Sequence, residues 1–160
     1  MKSLLRVIAL GLAFAAYPLL AVAQAPESTM GTWKRNAAKS KCSPGPCSTR
    51  SSTLVFEKVP GGMKMTVDGV NADGSEPRHL ELVTMFDGKE AEYKGAAAPT
   101  TRLYSRIDDN TYEWVTRVNG KVTTTVRATI SADGKTRTLV GSGTNADGEA
   151  VNYTTVWDRQ

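Results

Sequence analysis

This 160-residue chain predicts an all-β domain of short antiparallel strands, on three observations. Residues 111–118, 121–131, 135–142 and 149–157 are consecutive segments rich in Val, Thr, Tyr and Trp, which suit a pleated, half-buried surface. The breaks between them are Asn119-Gly120, Ala132-Asp133-Gly134 and Ala146-Asp147-Gly148. Asn-Gly and Asp-Gly tolerate the positive φ values that tight hairpins need. Upstream the same alternation continues, giving about ten strands at the spacing of a sandwich or barrel. Beyond the N-terminal segment nothing has a helical period.

The N-terminus has the form of a targeting segment. Lys2 and Arg6 supply positive charge, residues 7–20 are an almost unbroken apolar run, and Ala21-Val22-Ala23 is a small-x-small cleavage pattern. The run is short for a bilayer span. The expected organisation is a signal peptide at 1–23, a flexible tail at 24–30 and one β domain over 31–160. Cleavage after Ala23 leaves 137 residues, which favours a single domain, and lowers the formal net charge from +4 to +2. That charge is weak and scattered among acids, so no nucleic-acid partner is expected. No membrane span remains, and the expected location is periplasmic or secreted.

Along the mature chain, Gly31-Thr32-Trp33-Lys34 opens the first strand. Residues 36–51 are polar, carry Pro44 and Pro46, and cannot hold a pair of long helices. Residues 53–59 and 63–68 flank a Pro60-Gly61-Gly62 turn, and residues 78–86 follow two Asp-Gly turn signals. Asp87-Gly88-Lys89 leads into a strand at 91–94. The small-residue stretch 95–100 precedes a strand at 101–107, and Asp108-Asp109-Asn110 turns the chain into the last four strands.

Cys42 and Cys47 enclose Ser-Pro-Gly-Pro, and in an oxidising compartment so close a pair is expected to form a local disulfide. A redox motif has two intervening residues, and here there are four. A metal site needs further ligands, whereas His79 is the only histidine, so no metal or cofactor is expected. The tetrads Asn71-Ala72-Asp73-Gly74 and Asn145-Ala146-Asp147-Gly148 invite a calcium-loop reading. The position four residues before each Asp is a glycine, Gly69 or Gly143, where that motif wants an oxygen ligand, so both are expected to be turns.

Hairpin arithmetic sorts the C-terminal side chains. A two-residue Asn119-Gly120 turn opposes Val118 with Lys121, Trp114 with Thr125 and Tyr112 with Arg127. Three-residue Ala-Asp-Gly loops oppose Arg127 with Leu139, Gly141 with Tyr153 and Arg137 with Trp157. One face then holds Tyr112, Trp114, Thr125, Arg127, Arg137, Leu139, Tyr153, Thr155 and Trp157. The other holds Val115, Val122, Val126, Ala128, Ile130, Val140 and Val156. Two readings of the aromatic face stay open. In one it lines an amphipathic pocket, with Arg127 or Arg137 facing an acidic head group. In the other the rings are core and the arginine stems snorkel to water.

Enzyme signatures are missing. There is no Gly-x-Ser-x-Gly elbow and no phosphate loop, and Glu81, Glu90, Glu92 and Glu113 are spread with no evident pairing. No catalytic residue is assigned.

Gly31-Thr32-Trp33-Lys34, with a closing strand Tyr153…Trp157-Asp158-Arg159, resembles the calycin barrels, the lipocalins and intracellular fatty-acid-binding proteins. The wider pattern of Asp-Gly-Lys, Ser-Ala-Asp-Gly-Lys-Thr and terminal Asp-Arg-Gln is similar to small secreted bacterial lipocalin-like proteins of unassigned function. The resemblance implies a single antiparallel up-and-down β-barrel of about eight to ten strands. It also implies that Trp33 closes one end, with Arg159 over it. Two features depart from the fatty-acid binders. A Pro-rich segment with Cys42 and Cys47 stands where they place a helical lid, and Thr155 stands at the arginine of their Arg-x-Tyr anchor. Arg127 or Arg137 would have to substitute from neighbouring strands. The expected function is non-catalytic binding of a small, mainly hydrophobic ligand by Tyr112, Trp114, Arg127, Arg137, Tyr153 and Trp157. The alternative is a barrel filled by its own side chains that acts as a protein-interaction or inhibitory module.

Overall fold

The computed structural model describes residues 24–47, 49–71, 77–145 and 148–160. The expected signal peptide, and part of each Asn-Ala-Asp-Gly tetrad, lie outside the described residues. Ten strands follow in order: β1 (Gly31–Ser43), β2 (Thr49–Val59), β3 (Gly62–Asn71), β4 (Pro77–Thr84) and β5 (Glu90–Glu92). Then come β6 (Thr100–Arg106), β7 (Thr111–Val118), β8 (Lys121–Ile130), β9 (Thr136–Thr144) and β10 (Ala150–Arg159). Among the described residues the only helical element is a single 3-10 turn, Glu27–Thr29.

All pairings are antiparallel. Each strand pairs with its sequence neighbours apart from β4 and β5, and β1 also pairs with β10. This is the up-and-down order, because hairpin turns can join only antiparallel neighbours. The sheet edges, β4 and β5, meet at one bridge, where Glu81 and Lys94 exchange backbone hydrogen bonds of 3.1 and 2.8 Å. The barrel is thus nearly closed, and its edges are covered instead of offered to other strands.

Alternation along each strand sends every second side chain inward. Trp33, Leu54, Phe56, Met63, Met65, Leu82, Tyr104, Tyr112, Trp114, Leu139 and Trp157 meet there as one buried cluster. Phe86, Tyr104, Tyr112 and Trp114 form a continuous aromatic wall with ring centroids 5.4 to 6.3 Å apart. Tilted and offset rings at such spacings are favourable beyond their buried area.

Residues 24–30 are not a loose tail. They form the floor of the barrel, with Pro26 and Thr29 fully buried. Trp33 Nε1 donates to the Thr29 carbonyl at 2.8 Å, and the Arg159 guanidinium lies 4.2 Å over the Trp33 ring. Arg159 also donates to the carbonyls of Ser28, Met30 and Gly134, tying the floor to the β8–β9 loop. A polar composition hid this role, because the segment is held by its backbone carbonyls more than by its side chains.

Within residues 36–51, β1 runs on to Ser43. It pairs with β2 only over Gly31–Lys34, then bulges between Asn36 and Lys41 and continues along β10 alone. The arm ends in the Cys42–Cys47 disulfide, with Cα atoms 5.1 Å apart. Where β1 and β2 diverge, a shallow groove of about 670 Å³ opens, lined by Arg35, Lys41, Arg50 and the disulfide.

The register of β8 differs from the hairpin arithmetic at both of its edges. The Asn119-Gly120 turn opposes Val118 with Lys121 as expected, but a bulge at Thr123 then pairs Trp114 with Val126 and Tyr112 with Ala128. On the other side the loop has four residues, 132–135, because Ser131 N donates to Thr136 O, so Ala128 faces Leu139. The two shifts agree and turn β8 over. Val126, Ala128 and Ile130 point inward, while Thr125 and Arg127 point out. Burying three aliphatic side chains in place of a threonine and an arginine is the driving force. The β9–β10 register, with Gly141 opposite Tyr153 and Arg137 opposite Trp157, is as the loop arithmetic has it.

Candidate functional site

The two ends of the barrel are filled differently. Near the floor, Trp33, Phe56, Met63, Phe86 and Tyr112 leave no room. Toward the far end the side chains become smaller or more polar, and a cavity of about 250 Å³ opens among Leu54, Met65, Leu80, Trp114, Leu139 and Trp157. Tyr93, Arg102, Arg137, Tyr153, Thr155 and, at the rim, Arg78 also line it, with Ser52 and Val67. Apolar walls with a few convergent polar groups are the usual form of a small-molecule site.

Four of the six expected binding residues line it: Trp114, Arg137, Tyr153 and Trp157. Tyr112 sits beneath, and its hydroxyl oxygen accepts from Arg137 Nε at 3.1 Å and Nη2 at 2.7 Å. Arg127 is not part of the site. Its side chain is 63% exposed on the outside of the barrel, where it pairs with Glu113 at 3.3 Å, because the turned-over β8 carries it there. Trp33 and Arg159 make the closed end. Thr155, at the expected anchor position, faces the cavity and accepts from Trp157 Nε1 at 3.1 Å.

Tyr153 owes its position to a glycine. A Cβ on Gly141, directly across the β9–β10 ladder, would lie 2.2 Å from Tyr153 Cζ. The ring therefore lies flat over the missing side chain, a known way for an aromatic to cover a strand glycine. Burial also pushes the Tyr153 and Tyr104 hydroxyls above the usual phenol range, so both stay neutral.

The electrostatics of the cavity are one-sided. Arg137 is 2% exposed, and its Cζ lies 5.0 Å from the Phe56 ring centroid and 6.0 Å from that of Trp114. The Arg102 Cζ lies 4.0 Å over the Tyr93 ring and 5.3 Å from Trp114, and its Nη1 makes a long 3.4 Å contact to the Tyr104 hydroxyl. Among the described residues no carboxylate pairs with either guanidinium. Arginine does not deprotonate in proteins, so Arg137 keeps a buried positive charge and Arg102 a half-buried one, both partly offset by ring faces.

Sequence reasoning missed Arg102 and Tyr93. In residues 101–106 both alternation classes carry an apolar side chain, Leu103 on one and Tyr104 on the other. The pairing of Tyr104 with Trp114 selects the face, and the sequence alone does not show that pairing.

No protein-family model matches the chain, and a search of curated proteins finds no match to it.

Proposed function

We propose that this protein is a non-catalytic, secreted or periplasmic β-barrel of lipocalin-like kind that binds a small, mainly hydrophobic ligand in its interior. The observation that carries this reading is the open cavity of about 250 Å³ walled by Trp114, Trp157, Tyr93 and Tyr153. A barrel packed solely for stability gains most by filling such a space, since a void forfeits van der Waals contacts. The Cys42–Cys47 disulfide supports an oxidising location.

The test is native mass spectrometry of the mature protein purified from its own periplasm or culture medium. The expected result is a retained small molecule that leaves, chemically unchanged, on denaturation. The side-chain-filled alternative draws on the packed floor half, where Trp33, Phe56, Met63 and Tyr112 leave no space. A clean apo mass, together with capture of one partner protein through the loops, would favour that alternative.

A further inference from the structure

The cavity holds hydrogen-bond donors that nothing among the described residues satisfies. Arg137 Nη1, Arg102 Nε and Trp114 Nε1 are each buried without a partner among the described residues. All three side chains line the same cavity, and both guanidinium carbons lie within 6.0 Å of the Trp114 ring. No acceptor in that lining is left over in the same way. A buried donor without a partner costs free energy, more so on a charged group. The folded protein thus carries a cluster of donors and two positive charges in an open cavity with largely apolar walls.

We propose that the ligand is a compact organic monoanion, a carboxylate on an aromatic or branched aliphatic body. This rests on the small-ligand reading above and gives that ligand its charge and size. The carboxylate oxygens accept from Arg137 Nη1 and Arg102 Nε, a pairing that suits the planar guanidinium fork. The body lies between Trp114, Trp157 and Tyr153, over Leu54 and Met65. An inorganic or phosphoryl dianion is a poorer match, since it has no apolar body to cover Trp114, Trp157, Leu54 and Met65.

Size follows from volume. A cavity of about 150 Å³ takes benzene, so roughly 25 Å³ per heavy atom is a working figure. The 250 Å³ here then takes a body of about ten heavy atoms. A long-chain fatty acid has nearly twice that number and does not fit. Arg137 stands opposite Trp157, one strand away from the position where the calycin resemblance puts the anchor, and Arg102 comes from β6, beyond β8 and β7 in the sheet.

The experiment is calorimetric titration of the mature, disulfide-intact protein with four probes. These are 3-phenylpropionate, its neutral amide, palmitate and inorganic phosphate. Indole, uncharged and of about the size the cavity takes, serves as the hydrophobic control in the same titration. The expected result is binding of 3-phenylpropionate at least tenfold tighter than the amide, with palmitate and phosphate weaker than either. R137Q and R102Q are each expected to lose that tenfold preference, and R127Q, on the outer surface, to keep it. The comparison of acid with amide uses the unaltered protein, so it decides the matter even where R137Q fails to fold.

Equal affinity for acid and amide would overturn the anion proposal and leave the small-ligand reading standing. Indole binding with no response to the acid would do the same. Tighter binding of palmitate or phosphate would overturn the assigned class. Absence of binding by every probe, indole included, would overturn both.

Discussion

At the scale of single residues, Gly141 and His79 make the sharpest predictions. Gly141→Val would drive a side chain into the space that the Tyr153 ring occupies, since even a Cβ would lie 2.2 Å from its Cζ. The ring would swing into the cavity at a cost of about 1–3 kcal/mol from overpacking. Urea unfolding should show that loss, and indole binding should weaken by about tenfold or more as the space fills. His79 Nδ1 lies 2.7 Å from Asp68 Oδ1 on the outer surface, and this hydrogen bond raises the histidine pKa above its ordinary value. The charged form is therefore favoured in the folded state. Its stabilising effect is complete below the ordinary histidine pKa and fades as pH rises through the raised one. NMR titration of this sole histidine should give a midpoint above the ordinary value, and Asp68→Asn should move it back down. An unchanged midpoint in that variant would refute the assignment.

At the scale of elements, the decisive one is β8. Its neighbours keep the register that loop lengths dictate, yet β8 is turned over by a bulge at one end and a longer loop at the other. Gly143 makes the bulge possible: a Cβ there would lie 1.9 Å from the Thr123 carbonyl oxygen, a backbone atom that cannot rotate away. Gly143→Ala should accordingly cost more than Gly→Ala does at an ordinary strand position. We expect a loss of about 2–3 kcal/mol, an overpacking penalty at the upper end of the usual range. Amide exchange should be fastest along β8 and the adjoining part of β9. Thr123→Ala, which keeps the backbone, should be nearly silent.

At the scale of the whole molecule, the barrel has a tied end and a free end. Arg159 joins floor, first strand and the β8–β9 loop through three carbonyls and the Trp33 ring. Arg159→Ala should lower stability by about 2–4 kcal/mol, as several charged hydrogen bonds and a cation–π contact are lost together. Denaturant unfolding with an unchanged slope would measure it. The disulfide belongs to the outlying arm and closes a very short loop. Replacing both Cys42 and Cys47 by Ser should cost only about 2 kcal/mol by chain entropy and leave the cavity able to bind. A double variant that failed to fold would show the arm to be integral to the barrel.

The strands and their turns were legible because both signals are local. Val, Thr and aromatic runs mark strands, and Asn-Gly or Asp-Gly marks the reversals, so ten strands and the Gly141–Tyr153 and Arg137–Trp157 pairings follow from residues close in sequence. Trp33 and Arg159 belonged to the same layer of inference through the resemblance at the two ends of the domain. What the chain alone did not determine was the face that β8 shows to the interior. A one-residue bulge leaves composition unchanged but exchanges Arg127 for Val126 and Ala128. Nor did it determine that Arg102 joins Arg137, or that residues 24–30 seal the floor. The floor depends on side chains and carbonyls more than seventy residues apart in the chain, such as Arg106 with the Gln24 carbonyl and Ser28 with that of Asp109. Only closure of the barrel brings such groups together, and burial of the larger apolar set then selects the register.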